Sequence, residues 1–342
     1  MDSLTQMALG AALGEATLGR KLGNKAMVIG AVLGTLPDLD VIVPYTDAVA
    51  NFTFHRSFSH SFLVLTLLTP LLAWIGYRSS GKRFGQAWFW CVLLVLNTHV
   101  LLDCFTVYGT QAFWPISEYP IAWATIFIID PLYTLPLLIS LIIIMRAAPK
   151  SRRRAIANIA GLVLSTTYLA WTVVAQNIAH NVALNALQAQ SQGYTSAVTT
   201  PAPLSLLWRT VARDEDGYAE GYYSLLDGSE QMNFDYYRSD ESLFDALQDH
   251  WPAQRLKWFT RGFYTIRKIG DDIVMTDLRM GVEASYVFNF LVGKDINGEI
   301  QPVLSELRQF APDTTRLGDV FRRQFDSSIS LAPRPPTVNT NH

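Results

Sequence analysis

Cysteine is nearly absent from this 342-residue chain: the two present, Cys91 and Cys104, fall in or beside one apolar segment. They make neither a disulfide framework nor a CxxC pair, and Cys104, which follows Asp103, reads as a buried or bystander thiol. Charge is scarce in the first part of the chain. Residues 1–180 hold 12 of the 27 Lys and Arg and 8 of the 29 Asp and Glu, against 15 and 21 in residues 181–342. Neither part carries the basic stripe that nucleic acid requires, so no nucleic-acid partner is expected. The N-terminus, Met1-Asp2, lacks a basic n-region, and its apolar stretch leads into Gly-rich sequence without an A-x-A site. A cleavable signal peptide is therefore not expected.

What remains is divided in two. Half of the residues are hydrophobic, and the mean hydropathy of +0.18 averages an apolar part with a charged one. Four stretches, about 61–77, 86–103, 128–145 and 156–178, approach the ~20 apolar residues that cross ~30 Å of hydrocarbon. Two shorter ones, about 4–19 and 26–37, carry Gly10, Gly14, Gly19, Gly30 and Gly34. Small residues at such spacing let helices approach closely, so these two are expected inside the bundle. The expected fold is an α-helical membrane bundle of about six helices over residues 1–180, followed by a small α+β extramembrane domain over 204–332. Residues 181–203 read as a linker and 333–342 as a disordered tail. The second domain is expected to have strands near 205–213, 218–226, 261–268, 272–278 and 284–293, with a hairpin at Gly270-Asp271-Asp272. Helices fit 240–249 and 303–309. The domain has no evident catalytic set and is expected to cover the site or to bind a partner.

Basic residues orient the bundle. Arg20, Lys21 and Lys25 lie in the first turn between helices, Arg78, Lys82 and Arg83 in the third, and Arg146, Lys150, Arg152, Arg153 and Arg154 in the fifth. The alternate connections, 38–60 and 104–127, contain only Arg56. Eleven basic residues against one is a positive-inside pattern, with both termini outside the cytoplasm.

That orientation sorts the ionisable residues. Asp2, Asp38, Asp40, His55, His60, His99, Asp103 and Asp130 all fall at outer helix ends. Intramembrane or flanking ionisable groups are functional candidates, and His with carboxylate is the donor set that zinc and related divalent ions prefer. His99 and Asp103, four apart on a helix, project from one face, with Asn97-Thr98 placed to orient them. His55 and His60 bracket Arg56, Ser57 and Ser59, with Ser61 following, in a nearly charge-free segment; a helix cap is the bland alternative. Asp38 and Asp40 close the second helix as ligands or as a general base, or merely cap the next segment. Asp130 before Pro131 and Asp2 before Ser3 fit plain helix caps. Arg56 is placed to hold an anion or to pair with an aspartate. Glu15 lies towards the inner end of the first helix.

The ordered motifs Met1-Asp2-Ser3-Leu4-Thr5-Gln6, Gly34-Thr35-Leu36-Pro37-Asp38-Leu39-Asp40, His55-Arg56-Ser57-Phe58-Ser59-His60-Ser61, Thr98-His99-Val100-Leu101-Leu102-Asp103, Thr106–Gln111 and Ile129–Tyr133 resemble the YdjM-like (LexA-regulated) family of membrane-bound metal-dependent hydrolases. The resemblance covers roughly residues 1–180, and Trp258–Tyr264 is similar to a stretch of the longer members. It implies a multi-pass protein of the cytoplasmic (inner) membrane and a zinc-dependent hydrolase with one or two ions. Many members carry His where this chain has Gln6. The expected metal ligands are His55, His60, His99 and Asp103 with Asp38 and Asp40, and the expected catalytic groups are Asp38, Asp40 and Arg56. The bilayer is the expected partner, and a phosphoester or lipid-linked compound the expected substrate. A transporter or metal-handling protein, and a scaffold that metal merely staples, are the competing readings.

Overall fold

The computed structural model describes residues 1–190, 193–283, 285–310 and 317–332. The chain falls into two units, Met1–Thr46 with Ala50–Val174 and Asp47–Val49 with Ala175–His342. The first is helical. Helix α1 (Ser3–Leu22) starts where the Asp2 carboxylate accepts the Thr5 amide at 3.1 Å, and it closes on Arg20 and Lys21 before Gly23 at φ +60°. Acid at the start and base at the end both suit the helix dipole. Helix α2 (Lys25–Thr35) folds back against it.

Glycine permits this hairpin. A Cβ at Gly30 would sit 2.0 Å from the Gly10 carbonyl oxygen, and one at Gly10 would sit 2.3 Å from that of Gly30. Neither obstacle is a side chain that can swing away, so the two backbones touch only because neither residue has a Cβ. Gly30→Leu is expected to force α1 and α2 apart and to destabilise the bundle by roughly 1–3 kcal/mol or more, read as a lower midpoint of thermal unfolding in detergent.

A 3-10 turn (Pro37–Ile42), helix α3 (Ala48–Phe54) and a second 3-10 turn (Phe58–His60) lead into helix α4 (Phe62–Ser79). The Ser61 hydroxyl caps α4 by accepting the Val64 amide at 3.3 Å. Helix α5 (Gly85–Cys104) returns, a long loop follows, and α6 (Pro131–Arg146) and α7 (Arg152–Ala189) complete the helices before the sheets. Among the described residues α4, α5 and α7 are long and apolar enough to cross a membrane, while α2 and α6 are shorter apolar helices. The helix expected at 128–145 begins at Pro131 and has 16 residues. Helix α1, at 20 residues, is long enough but is not among the apolar three.

The second unit holds two four-stranded antiparallel sheets. One runs β1 (Ser196–Pro201), β2 (Leu207–Arg213), β3 (Gly217–Ser224), β4 (Phe234–Arg238) in spatial order. The other has β5 (Tyr264–Ile269), β6 (Asp272–Asp277), β9 (Asn289–Ile296) and β10 (Glu299–Arg308), ordered β10-β9-β6-β5. A two-stranded pair, β7 (Gly281–Val282) and β8 (Ser285–Tyr286), sits between in sequence, as do α8 (Glu241–Asp245) and α9 (Trp251–Phe259) before β5; α10 (Leu317–Arg323) comes last. The Gly270 hairpin is as expected, pairing Ile269 with Asp272.

Two expectations fail here. The stretch 181–203 is not a linker throughout: α7 continues to Ala189 because Val182, Ala183 and Leu187 are buried, the first two packing with Trp208 and Tyr223. Ser196–Pro201 then pairs with β2 from Ser196↔Arg213 to Pro201↔Trp208. The helix expected at 303–309 falls in β10, because Asn297 (φ +57°) and Gly298 (φ +89°) form a two-residue turn that returns the chain along β9. The tail 333–342 lies outside the described residues.

Candidate metal centre

Four of the expected residues converge. Asp38 from the first 3-10 turn, His60 from the second, and His99 and Asp103 from the last turns of α5 bring one donor atom each within 4.8 Å of one another. The His60 and His99 Nε2 atoms are 3.2 Å apart. His60 Nε2 lies 3.4 Å from Asp38 Oδ1 and 3.3 Å from Asp103 Oδ2, and His99 Nε2 lies 3.5 and 3.8 Å from the same two atoms. Donors ~2.0–2.1 Å from a tetrahedral ion stand about 3.3 Å from each other, so these separations fit an ion at their centre.

The hydrogen bonding points the same way. The Nδ1–H of His99 donates to the Gly34 carbonyl at 2.7 Å, which leaves the Nε2 lone pair turned to the cluster. His60 Nδ1 is 3.0 Å from the Ser59 hydroxyl. Asp103 Oδ1 receives the Met1 amino group and the Gln6 amide, the latter at 3.0 Å, whereas its buried Oδ2 has no hydrogen-bond partner. A buried carboxylate oxygen that accepts no hydrogen bond and faces two imidazole nitrogens keeps lone pairs free for a bound cation. Burial penalises the Asp38 carboxylate, but the His60 and His99 rings beside it outweigh that and hold its pKa below the usual range. His60 shows the converse: burial works against its proton, while Asp103 and Asp38 raise its pKa.

The other expected site residues lie elsewhere. Asp40 points to a hub one layer out, accepting His55 Nδ1 at 2.8 Å, the Arg56 amide at 3.0 Å and the Ser59 hydroxyl at 2.5 Å. His55 is thus bound to Asp40 and stands outside the four-donor group, its ring centroid 5.9 Å from that of His60. The physical reason is the backbone at Arg56, which takes φ +61°. This left-handed residue turns the chain so that His60 faces the cluster and His55 faces Asp40. The Arg56 guanidinium is buried, with Nε 3.2 Å from Asp103 Oδ2 but not aligned to hydrogen-bond it. Its Nη1 donates to the Thr106 hydroxyl at 3.2 Å, and it stacks 4.8 Å above the Tyr108 ring. It therefore pairs with a cluster carboxylate in place of presenting a free anion hook.

Asp2 caps α1, and Asp130 caps α6 while accepting the Tyr168 hydroxyl at 2.8 Å. The Gln6 side-chain amide donates to Asp103 Oδ1 at 3.0 Å and to the His99 carbonyl at 3.2 Å. Asn97 and Thr98 do not orient His99: they bond the Leu93 and Leu94 carbonyls of their own helix. The Gly34 carbonyl does that work, a backbone acceptor that no side-chain pattern announces. Thr106, which donates to the Asp103 carbonyl at 2.7 Å and accepts from Arg56, was likewise not singled out by its residue type.

An apolar helical bundle with a buried His–Asp group at the ends of two helices long and apolar enough to cross a membrane defines a class: a membrane protein with a candidate metal site. The signature of the family described as "YdjM inner membrane protein" matches residues 1–179, and the chain belongs to that family. It is 33% identical over 141 residues to "Uncharacterized protein YfhP" of Bacillus subtilis (strain 168), covering 38% of this chain and 42% of that one. It is 34% identical over 110 residues to "Inner membrane protein YbcI" of Escherichia coli (strain K12), covering 30% and 62%. The chain thus spans less than two thirds of either relative. No solved structure matches it.

Proposed function

We propose that this protein is a metal-dependent hydrolase of the cytoplasmic membrane whose cluster opens on the outer face, with zinc as the ion the donors suit best. The observation that carries the reading is the Asp38–His60–His99–Asp103 group, in which the buried Asp103 Oδ2 accepts no hydrogen bond. Bound there, a divalent ion supplies Lewis acidity towards a carbonyl or phosphoryl oxygen and a nucleophile active near neutral pH.

The chain's own groups supply the rest. Asp40 is engaged by three donors and is a poor base, but it fixes the His55 tautomer with Nδ1 protonated, leaving Nε2 to accept a proton. The His55 side chain is 24% exposed, so that proton has a route to solvent. Arg56 steadies the buried Asp103 charge. A phosphoester or lipid-linked ester is the substrate class we favour.

Sidedness rests on charge. The cluster lies at the start of α4 and the end of α5, whose far ends carry Arg78, Lys82 and Arg83. By the positive-inside tendency those far ends are cytoplasmic. The α1–α2 hairpin leaves and returns to the cluster side, Gln6 and Gly34 both touching site residues, so its depth does not alter the parity. Six membrane-inserted helices then put the C-terminal domain outside the cytoplasm.

A second reading, a metal staple, draws support from the count of four protein donors, which structural zinc sites use. Purified zinc-loaded protein and His55→Ala, assayed on phosphoesters and carboxyl esters, separate the two. We expect turnover by the wild type, and a loss of about 10²–10⁴-fold in His55→Ala with metal content intact. No turnover of any ester, together with unfolding on chelation, would establish the staple.

A further inference from the structure

The four-donor group has one open side. His60, His99 and Asp103 are sealed, whereas the Asp38 side chain keeps 20% of its surface exposed. Access therefore passes the 3-10 turn Pro37–Ile42. That turn presents Asp38 to the site and Leu39, Val41 and Ile42 outwards, the last two 74% and 75% exposed. Large apolar side chains around the mouth of a site built for a water-borne solute would be left in water, and contiguous apolar surface of this kind marks a contact with lipid or a partner.

The apolar rim runs on into the spanning helices. Phe58, two residues before His60, is exposed and meets Trp114 edge-on at 6.4 Å. Phe113, also exposed, packs 6.0 Å from Phe62, the first residue of α4. The Phe62 amide donates to the Ala112 carbonyl at 2.9 Å, and the Gln111 amide to the Arg56 carbonyl at 2.9 Å, so the two rim loops are tied together. At the end of α5, exposed Trp123 packs on Phe105 at 4.7 Å, its amide bonded to the Cys104 carbonyl at 2.8 Å. Both spanning helices thus end in aromatic residues at the level of the cluster and in basic residues at the other end. Aromatic side chains at helix ends mark the membrane–water interface.

We propose that the rim of Leu39, Val41, Ile42, Phe58 and Phe113 sits in the headgroup region of the bilayer, so that the ligand reaching the cluster is a lipid-anchored amphiphile entering past Asp38. The continuity of the rim with α4 selects lipid over a protein partner. The proposal deepens the hydrolase reading by naming its substrate class, and the position of the rim can be measured apart from catalysis.

Cys91 and Cys104 are both buried, so single cysteines introduced at the surface can carry a bimane label. Full-length Leu39→Cys and Ile42→Cys proteins are placed in phosphatidylcholine–phosphatidylglycerol vesicles, with Glu299→Cys in the exposed β9–β10 turn as the aqueous reference. Quenchers are iodide in the water, bromines on the lipid chains and a nitroxide on the phosphatidylcholine headgroup. The expected result is quenching at 39 and 42 severalfold stronger from the lipid-borne groups than from iodide, reversed at 299. Iodide-dominated quenching at 39 and 42 overturns the proposal, and so does shielding from all three, which would mean that protein covers the rim. Metal content read on the same samples distinguishes the failures: an iodide-accessible rim on metal-loaded protein removes the lipid proposal alone, and a lipid-quenched rim on protein that takes up no metal removes the hydrolase reading alone.

Discussion

Replacing His60 and His99 together with alanine is expected to abolish stoichiometric metal binding, while His55→Ala keeps one equivalent. The two imidazoles supply half of the candidate donors, and their Nε2 atoms, 3.2 Å apart, would be the nitrogen ligands beside the two carboxylates. Without them the site is left with Asp38 and Asp103, oxygen donors suited to a harder ion. Asp40→Asn should behave differently from both. It leaves all four donors in place but weakens the hub that holds His55, the Arg56 turn and Ser59, so affinity should fall about 10–100-fold with stoichiometry retained. Elemental mass spectrometry on detergent-purified protein and a competitive zinc titration read the two quantities. Zinc at wild-type level in the His60→Ala/His99→Ala protein would show that the ion sits elsewhere. Loss of zinc on His55→Ala alone would place that ring in the coordination sphere, against the geometry of the four-donor group.

The distinction between His55 and His60 was the hardest part of the site to read in the sequence. Both flank the same serine-rich loop, and residue type alone makes them equal. What separates them is the left-handed backbone of Arg56, a conformation that an arginine seldom adopts and that its identity does not announce. His99 with Asp103 was legible because four residues is one helical turn, and Asp38 because Pro37 starts a new turn at the end of α2. The failure of Asn97 to orient His99 was legible too: residues two apart do not share a helix face. In the second unit the Asn297-Gly298 pair was a stronger hairpin signal than the helical spacing of Leu304 and Leu307 that competed with it. The extension of α7 to Ala189 depended on tertiary burial against Trp208 and Tyr223, which the polar composition after residue 188 conceals.

Breaking the Glu15–Arg154 pair is expected to cost the bundle roughly 3–5 kcal/mol, the penalty for stranding one member of a buried ion pair. Arg154, near the start of α7, holds both Glu15 oxygens at 2.6 Å through Nε and Nη2 and also donates to the Asn24 side chain at 2.7 Å. The side chains are 3% and 7% exposed. Arg154→Met leaves an unpaired carboxylate, and Glu15→Leu leaves an unpaired guanidinium and Asn24 with a partner of the wrong balance, so each single change should sharply lower the unfolding midpoint. The double change Glu15→Leu/Arg154→Met removes both charges and should recover most of the loss, because two apolar side chains can fill the space of a neutralised pair. Metal content measured alongside should stay at one equivalent in the double variant, since the pair contacts none of the cluster. The same geometry bears on the choice between catalysis and transport. A path carrying an ion across the bundle would use the buried carboxylate beyond the cluster, and Glu15 has both of its oxygens committed to Arg154. If the double variant were stable and metal-loaded yet lost a vesicle-measured metal flux that the wild type possessed, the transport reading would displace the hydrolase; no flux in either protein would remove the transport reading.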